Sequence, residues 1–282
     1  MSRIGIVGLG LIGGSLGLDL RAQGHEVLGI ARRRATCDRA LKRGIADHSA
    51  TDLTLLSEVD LIFLCTPIAA ILPTLEQIIP HLHPDTIITD VASVKTPIVT
   101  AATTLWPYFL GGHPMAGTEQ QGVEAAQRDL FQNAPYVLTP TAATPAEIIA
   151  TLTPLIGQLQ ARCYHCSPAA HDRAVASISH LPVMLSASLI ACQDTLDAET
   201  LPLAQALASS GFRDTSRVGG GNPELGVMMA RYNRAALQAA LQSYRQSLDR
   251  LSDQIEQEDW AGLTAMLQQT QTARRPFVAE DT

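Results

Sequence analysis

The chain has 282 residues, which is long enough for two compact domains. Hydrophobic residues make up 46% of it and charged residues 17%, a balance that excludes a disordered or collagen-like protein. The formal net charge of −7 gives no general attraction for nucleic acid, so we expect small-molecule partners and no nucleic acid.

The first half of the chain alternates short apolar runs with helical patterns. The runs are RIGIV from Arg3, EVLGI from Glu26, DLIFLC from Asp60, TIITD from Thr86, YFLGG from Tyr108 and YVLT from Tyr136. This alternation predicts an α/β domain over residues 1–166, with a Rossmann-type, doubly wound parallel sheet covered by helices. The chain enters the first strand almost at once, without a charged and then apolar signal region, so we expect a cytoplasmic protein.

A glycine-rich segment, IVGLGLIGGS, follows the first predicted strand. Gly8, Gly10 and Gly13 stand in GxGxxG register, with Leu11 and Ile12 between the last two glycines. Glycines at this spacing permit a tight turn, close approach of a pyrophosphate to the backbone and close helix packing. The position between a strand and a helix predicts a dinucleotide site.

The end of the second predicted strand indicates which dinucleotide binds. NAD-binding domains carry an acidic residue about 20 residues after the glycines, where it binds the ribose 2′-hydroxyl. Here Ala31 takes that place and is followed by three arginines, Arg32 to Arg34, with Thr36 close behind. We expect Arg32 and Arg33, assisted by Thr36, to bind the 2′-phosphate of NADP. The alternative is a solvated basic loop.

Polar residues cluster in the loops after the later strands, where open α/β sheets bind ligands. Thr66 and Pro67 lie in LCTPI, a segment expected to face the cofactor. Further strings are TDVASVK from Thr89, GGHPMAGTEQQG from Gly111 and GFRDTSRVGGGNPELG from Gly211. Lys95, which ends TDVASVK, lies two residues after Ser93 and could either face the same way or be a surface charge.

After Cys166 the strand signals stop, and residues 167–282 are predicted to form an all-helical domain. Its longest apolar stretches, such as residues 181–191, fall well short of the roughly 20 residues that cross a bilayer, so no membrane contact is expected. Pro182 predicts a kink in the first helix.

Cys163 and Cys166 have CxxC spacing without a second pair, so we expect plain packing and no metal.

An apolar seam runs along a later helix of this domain. Its members are spaced alternately by four and three residues: Leu237, Leu241, Tyr244, Leu248, Leu251 and Ile255. Such a seam must be buried, either within the domain or in a homodimer interface, and the pattern alone leaves both open.

The strings DVASVK, GGHPMAGTE and FRDTSR, together with the N-terminal glycines, resemble the prephenate/arogenate dehydrogenase family. The resemblance covers nearly the whole chain and is strongest to the short arogenate dehydrogenases of cyanobacterial type. It implies an NADP-dependent oxidative decarboxylation of arogenate to tyrosine, with prephenate as the alternative substrate, and a homodimer formed through the helical domain.

The resemblance also implies roles for individual residues. His113 would accept the proton of the ring hydroxyl as hydride leaves, and Ser93 would orient both groups. Arg217 would bind a substrate carboxylate, with Arg213 one helical turn earlier as a second candidate. Further pocket positions are Thr118, Glu119 and His180.

Other interpretations remain open at this stage. Arg217 could form a structural ion pair with Asp214 or Glu224, and His180 could be a core residue. A β-hydroxyacid dehydrogenase or a pyrroline-carboxylate reductase would share the architecture, but both leave the GGHPMAGT and FRDTSR strings without a role. A non-enzymatic NADPH sensor would need only the phosphate site.

Overall fold

The computed structural model describes residues 1–278. The chain divides into two compact units, one from Met1 to Arg234 and one that begins at Ala235. The first unit contains the sheet and most of the helices. The second contains the long helices of the C-terminal part.

One sheet organises the first unit. Its strands are β1 (Arg3–Val7), β2 (Glu26–Ile30), β3 (His48–Ala50), β4 (Leu61–Leu64), β5 (Ile87–Asp90), β6 (Phe109–Pro114), β7 (Pro135–Thr139) and β8 (Arg162–His165). They lie in the order β3-β2-β1-β4-β5-β6-β7-β8. The six from β3 to β6 run parallel, β7 is antiparallel to β6, and β8 is parallel to β7.

Helices cover both faces of this sheet and then continue alone. They are α1 (Leu11–Ala22), α2 (Arg34–Lys42), α3 (Ile68–Ile78), α4 (Thr96–Leu105), α5 (Ala146–Gln158), α6 (Pro168–Val175), α7 (Leu181–Ala191), α8 (Thr200–Leu207), α9 (Ser210–Ser216), α10 (Pro223–Tyr232), α11 (Arg234–Glu256) and α12 (Trp260–Val278). Because strand side chains alternate between faces, two separate apolar cores form, one under α1, α2 and α5 and one under α3 and α4.

The predicted fold class is confirmed, with three differences in detail. All six predicted strands are present, but β3 and β8 were not predicted. Both are short edge strands with polar, largely accessible residues, so they carry no apolar run. The third difference is β7, whose antiparallel direction cannot be read from an apolar run alone.

The first helical stretch after the sheet is longer than predicted. Helix α6, a π-helical turn at Ala176–His180, helix α7 and a 3-10 turn at Cys192–Thr195 join into a continuous stretch, Pro168–Thr195. The stretch is 28 residues long and contains an 18-residue window with mean hydropathy 1.7. By length and composition it could cross a membrane, which corrects the expectation that no stretch comes near that size. Four of its polar side chains, those of His171, Asp172, His180 and Ser186, are buried and hydrogen-bonded within the first unit. In the single chain, 22% of the apolar window is buried.

Pro182 neither breaks nor ends this stretch. It lies in the first turn of α7, where a missing backbone N–H is tolerated, directly after the π-helical turn. The predicted irregularity is therefore a widened turn on the N-terminal side of the proline.

The apolar seam lies along α11. Leu237 is buried, Leu241 and Leu251 are half-buried, and Tyr244, Leu248 and Ile255 are 38%, 49% and 54% exposed. Half of the seam therefore faces solvent in the single chain.

Candidate active site

The glycine-rich turn joins β1 to α1 at the carboxyl edge of the sheet. Gly8 has φ +104°, a left-handed conformation that favours glycine, and its N–H donates to Ile30 O at 2.9 Å. A Cβ on Gly13 would lie 2.0 Å from Gly8 O, so only glycine lets α1 start so close to the strand. A Cβ on Gly10, by contrast, would meet no heavy atom of the described chain within 4 Å, which leaves room for a ligand beside the backbone.

The N-terminus of α1 has the electrostatic character of an anion site. No side chain caps the helix at Gly10, so the first backbone N–H groups, including those of Leu11 and Ile12, are free of an intrahelical or capping partner. These groups and the helix dipole attract negative charge. The five residues predicted from the glycine string therefore lie together around one anion-binding turn.

Strand β4 pairs with β1 and ends at Leu64, so Thr66 and Pro67 lie beside this turn. A Cβ on Gly8 would lie 2.6 Å from Cys65 O and 3.0 Å from Thr66 N, so the two loops are in contact. The Thr66 hydroxyl is buried and has no hydrogen-bond partner in residues 1–278. A buried hydroxyl without a partner is costly, and a cofactor bound against the turn would supply that partner. The chain's own residues therefore fit a dinucleotide at this edge.

Among the three arginines after β2, two are available for a ligand. Arg34 forms an ion pair with Asp38, with 3.0 Å between Nε and Oδ1. Arg32 and Arg33 are exposed, and within the described part of the chain neither forms an ion pair. Thr36 is half-buried and donates its backbone N–H to Arg33 O at 3.0 Å, which holds the two residues together.

His113 lies near the end of β6 and is only 8% exposed. Its Nδ1 is 2.8 Å from Nε2 of His171, and Nδ1 of His171 is 2.9 Å from Oδ1 of Asp172. The two imidazole rings meet edge to face, with an interplanar angle of 73°. His113 is thus the first member of a buried hydrogen-bonded series that reaches α6.

The environment of His113 disfavours a positive charge. Burial is the main cause that lowers its pKa well below 6.5, and the charge of Lys95 and the neighbouring His171 and His180 lower it further. Asp172 acts in the opposite direction and is outweighed. His113 is therefore a neutral imidazole at physiological pH, able to accept a proton.

Lys95 is a fully buried residue of this site, so the alternative of a surface charge is wrong. Its ammonium group forms an ion pair with Asp90 and donates to Gly112 O at 2.7 Å. Asp90 in turn accepts from the N–H groups of Ala92 and Gly112, at 2.9 and 3.2 Å. This buried pair ties the loop after β5 to the residue that precedes His113.

Ser93 lies in the loop that this pair holds. The N–H groups of Lys95 and Thr96 donate to the carboxylate of Asp172 at 2.7 and 2.8 Å, which secures the loop from its other side. Ser93 is half-buried, and its hydroxyl makes no hydrogen bond to any residue that the structure describes. The hydroxyl is therefore available to a ligand.

His180 is completely buried, as its interpretation as a core residue requires. Its Nδ1 is 3.2 Å from Nδ2 of Asn233, which also donates to the backbone carbonyl of Asp172 at 2.7 Å. Its Nε2 is buried without a partner among residues 1–278. Burial lowers the pKa of His180 to about 4, so the ring is neutral. It lies close enough to His113 to lower the pKa of that ring as well.

The remaining predicted residues lie at the surface. Thr118 and Glu119 are exposed in the loop after β6, where the Thr118 hydroxyl accepts from Gln120 N at 3.2 Å. Arg213 pairs with Asp214 at 3.3 Å, whereas Arg217 is exposed and forms no ion pair in residues 1–278. The structural ion pair considered for Arg217 is therefore not seen.

Arg217 is nevertheless tied to the helix that carries His180. The turn Arg217–Gly220 packs on α7, where a Cβ on Gly219 would lie 2.3 Å from Ala187 N. The Ser186 hydroxyl donates to Thr215 O at 2.5 Å. Ser186 stands six residues after His180, about 9 Å along an α-helix.

Four further residues of the site lacked an assignment from sequence. They are Asp90, His171, Asp172 and Asn233. The sequence signal that could have found them is the adjacent pair His171 and Asp172 at the start of the helical half. Residues of these types are rarely buried unless they are paired. The cysteines are all free, and within the described chain no group of His, Cys, Asp or Glu is arranged to hold a metal ion.

Comparison with known proteins agrees with this architecture. The model of the prephenate dehydrogenase nucleotide-binding domain matches residues 16–165, and that of the prephenate dehydrogenase dimerization domain matches residues 167–269. Prephenate dehydrogenase of Bacillus subtilis is 33% identical over 90% of this chain and 70% of its own length. Cyclohexadienyl dehydrogenase of Zymomonas mobilis is 30% identical over 96% of this chain and 94% of its own.

Solved structures give the same result. Synechocystis arogenate dehydrogenase is 56% identical, with a TM-score of 0.91 over 98% of this chain and 100% of that one. Aquifex aeolicus prephenate dehydrogenase, in complex with hydroxyphenyl propionate and NAD+, is 25% identical, with a TM-score of 0.92 over 98% of each chain.

The glycine turn, the sheet and the helices that follow define an oxidoreductase with a dinucleotide-binding domain and a helical domain. More particularly, the chain belongs to the prephenate/arogenate dehydrogenase family and is an enzyme of that family.

Proposed function

We propose that this enzyme oxidises arogenate with NADP and releases CO2, giving tyrosine. The observation that carries the proposal is the buried, neutral His113 beside the dinucleotide edge of the sheet, with its Nδ1 already engaged by His171. A base placed in this way accepts a proton only through Nε2. Dehydrogenation of a ring alcohol requires such a base at the hydroxyl that becomes a carbonyl.

The dinucleotide would bind along the carboxyl edge of the sheet. Its pyrophosphate would lie at Gly10 and the first N–H groups of α1, and the Thr66 hydroxyl would bind a cofactor polar group. β1 and β6 are three strand spacings apart, roughly 14 Å, a span that an extended dinucleotide can bridge from the glycine turn towards His113. When bound, the nicotinamide would supply the hydride acceptor.

His113 and Ser93 would act at the ring hydroxyl. Nε2 of His113 takes the hydroxyl proton while hydride leaves the same carbon, and the Ser93 hydroxyl orients the substrate oxygen. Loss of the ring carboxylate as CO2 then makes the ring aromatic. The protein therefore has to align the reacting carbon, accept one proton and hold the carboxylates.

The substrate carboxylates require cationic partners. Arg217 is the group for this role, because its guanidinium has no competing carboxylate within residues 1–278. Arg213 would contribute from one turn earlier, and the exposed loop with Thr118 and Glu119 would cover the substrate. His180, with its unpartnered Nε2, would line the pocket floor.

Preference for NADP over NAD follows from the residues after β2. Replacement of Arg32 and Arg33 by serine should raise the KM for NADP at least tenfold and leave the KM for NAD nearly unchanged, because a charge-assisted contact to the 2′-phosphate is lost. Arg34→Ser is the matched control, since Arg34 pairs with Asp38. A clear NAD preference of the unmodified enzyme would exclude this part of the proposal.

Preference for arogenate over prephenate is supported by the 56% identity to Synechocystis arogenate dehydrogenase. Parallel steady-state kinetics with both substrates and NADP tests it. We expect the higher kcat/KM with arogenate. A higher value with prephenate would make the enzyme a prephenate dehydrogenase, and no NADPH formation with either substrate would favour a nucleotide sensor.

We also propose a homodimer in the cytoplasm, with residues 167–282 as the substrate and dimerisation domain. The helical half exposes many large apolar side chains in the single chain: Ile178, Ile190, Leu203, Leu207, Leu225 and Val227. The half-exposed seam of α11 adds to them. Exposed large apolar side chains in such number support an interface.

A further inference from the structure

His113, His171 and Asp172 form a connected series that extends from the proposed base into the protein, beyond the groups named above for cofactor and substrate. All three side chains are buried, at 8%, 2% and 5% exposure. The two hydrogen bonds that join them are 2.8 and 2.9 Å long. No other side chain of residues 1–278 hydrogen-bonds to the ring nitrogens of His171.

The chemistry of the groups determines the direction of each hydrogen bond. The carboxylate of Asp172 also accepts the N–H groups of Lys95 and Thr96, and, although burial opposes it, hydrogen bonds from His171 and these groups keep its pKa below the usual value. An ionised carboxylate only accepts, so Nδ1 of His171 must be the donor. With one ring proton on each histidine, Nε2 of His171 is then the acceptor and Nδ1 of His113 carries the proton.

We propose that His171, oriented by Asp172, is a positioning residue that holds His113 in the Nδ1–H tautomer and so directs the Nε2 lone pair to the substrate hydroxyl. The inference rests on the proposed function of His113 as proton acceptor. When Nε2 takes the hydroxyl proton, the imidazolium formed keeps its Nδ1–H bond to His171. Asp172, two hydrogen bonds away, stabilises that positive charge.

The role of His171 can be separated from a purely structural one because its two polar contacts are both members of the series. Asp172, by contrast, also accepts two backbone N–H groups at the start of α4, so its replacement would disturb the loop that carries Ser93. His171 is therefore the residue to vary. His165 on β8 is a suitable control, because within residues 1–278 its Nε2 is hydrogen-bonded only to Thr153 and Cys163, outside the series.

The experiment compares His171→Phe, His171→Gln and His165→Phe in the full-length enzyme. Phenylalanine keeps the ring packing without a hydrogen bond, whereas glutamine has an amide that can accept from His113 and donate to Asp172. We expect His171→Phe to lower kcat about 100-fold, with the KM for substrate and the Kd for NADP nearly unchanged, since loss of the correct tautomer is costly. His171→Gln should recover most of the activity, and His165→Phe should match the unmodified enzyme.

Nitrogen-15 NMR of the histidine rings gives the readout that a structural role would not change. We expect the Nδ1–H form of His113 in the unmodified enzyme and in His171→Gln, and a shift towards the Nε2–H form in His171→Phe. Unmodified kcat and tautomer in His171→Phe would overturn the proposal. If the unmodified enzyme oxidises neither arogenate nor prephenate, the proposed function fails, while the NMR comparison still decides whether His171 sets the tautomer.

Discussion

His113 is neutral mainly because burial lowers its pKa. The nearby charge of Lys95, which forms a buried ion pair with Asp90, and the neighbouring His171 and His180 lower that pKa further. The environment of the proposed proton acceptor is thus formed by residues of β5, the loop that follows it, α6 and the π-helical turn.

Replacement of His113 by asparagine should abolish most of the turnover. Asparagine retains a polar group of similar size near His171 but cannot accept a proton, so we expect kcat to fall by roughly 10²- to 10⁴-fold. The Kd for NADP, measured by fluorescence titration, should change little. Retained turnover in this variant would remove His113 from the mechanism.

The buried histidines should also make the stability of the fold dependent on pH. The pKa of His180 is about 4 in the folded chain, against about 6.5 when unfolded, so the unfolded state binds more protons between these values. The stabilisation is complete above pH 6.5 and is lost as the pH falls towards 4. The pKa of His113 is lowered in the same direction and adds to the effect.

We therefore expect the free energy of unfolding to fall between pH 6.5 and 4 by up to about 1.4 kcal/mol per pH unit for each of the two histidines. Urea denaturation at several pH values measures this slope. The His180→Asn variant should show a shallower slope by about one proton. Equal slopes in the variant and the unmodified enzyme would contradict the assignment to His180.

At the level of secondary structure, the π-helical turn determines which side chains meet. His171 and His180 are nine residues apart, about two and a half turns of a regular α-helix, which would place them on opposite faces. The wider turn at Ala176–His180 changes that rotation. Asn233 contacts this stretch on both sides of the turn, at the backbone carbonyl of Asp172 and at the ring of His180.

The glycine turn between β1 and α1 offers a matched pair of substitutions. Gly13→Ala should destabilise the fold by about 1–3 kcal/mol, because the new Cβ meets the rigid carbonyl of Gly8. Gly10→Ala should leave the fold intact, since that position is open, and should weaken NADP binding by obstructing the pyrophosphate. Thermal melting without nucleotide and NADP titration separate the two effects.

The opposite pattern would contradict this account of the turn. A Gly13→Ala variant with unchanged melting temperature would show that α1 can move away from the strand at little cost. A Gly10→Ala variant with unchanged affinity for NADP would show that the pyrophosphate does not approach the backbone there.

At the level of the whole molecule, the helices leave several large apolar side chains exposed in the single chain. Leu207 is 70% exposed, and Val227 and Leu225 are 63% and 51% exposed. The second unit repeats the pattern along α11, where Leu248 and Ile255 face solvent. A second copy of the chain would bury these residues and explain the seam.

Leu248→Glu should therefore shift the enzyme from dimer to monomer, because a charge would be buried without a partner in the apolar interface. Sedimentation velocity over a range of protein concentrations measures the shift. Gln246→Glu, at an exposed position on the opposite face of the same helix, should leave the dimer intact. A monomeric unmodified enzyme, or a dimer unaffected by Leu248→Glu, would exclude the α11 seam as an interface.

The fold class, the glycine turn and the six principal strands follow from the sequence alone, because each depends on residues that are close along the chain. Apolar runs, helical periodicity and GxGxxG spacing are local signals. The string around His113 is specific in the same way, through its resemblance to a known family. The edge strands β3 and β8 escaped prediction because accessible, polar strands lack an apolar run.

Only the tertiary structure decided the burial of Lys95 and the contact of His113 with His171. Lys95 looks like a surface charge until Asp90 and the Gly112 carbonyl are placed around it, since a buried ammonium is tolerated only with partners. His171 follows His113 by 58 residues in sequence, and their contact depends on α6 packing against the loop after β5. Such contacts between distant residues follow from the packing of whole elements, to which no local pattern of residues corresponds.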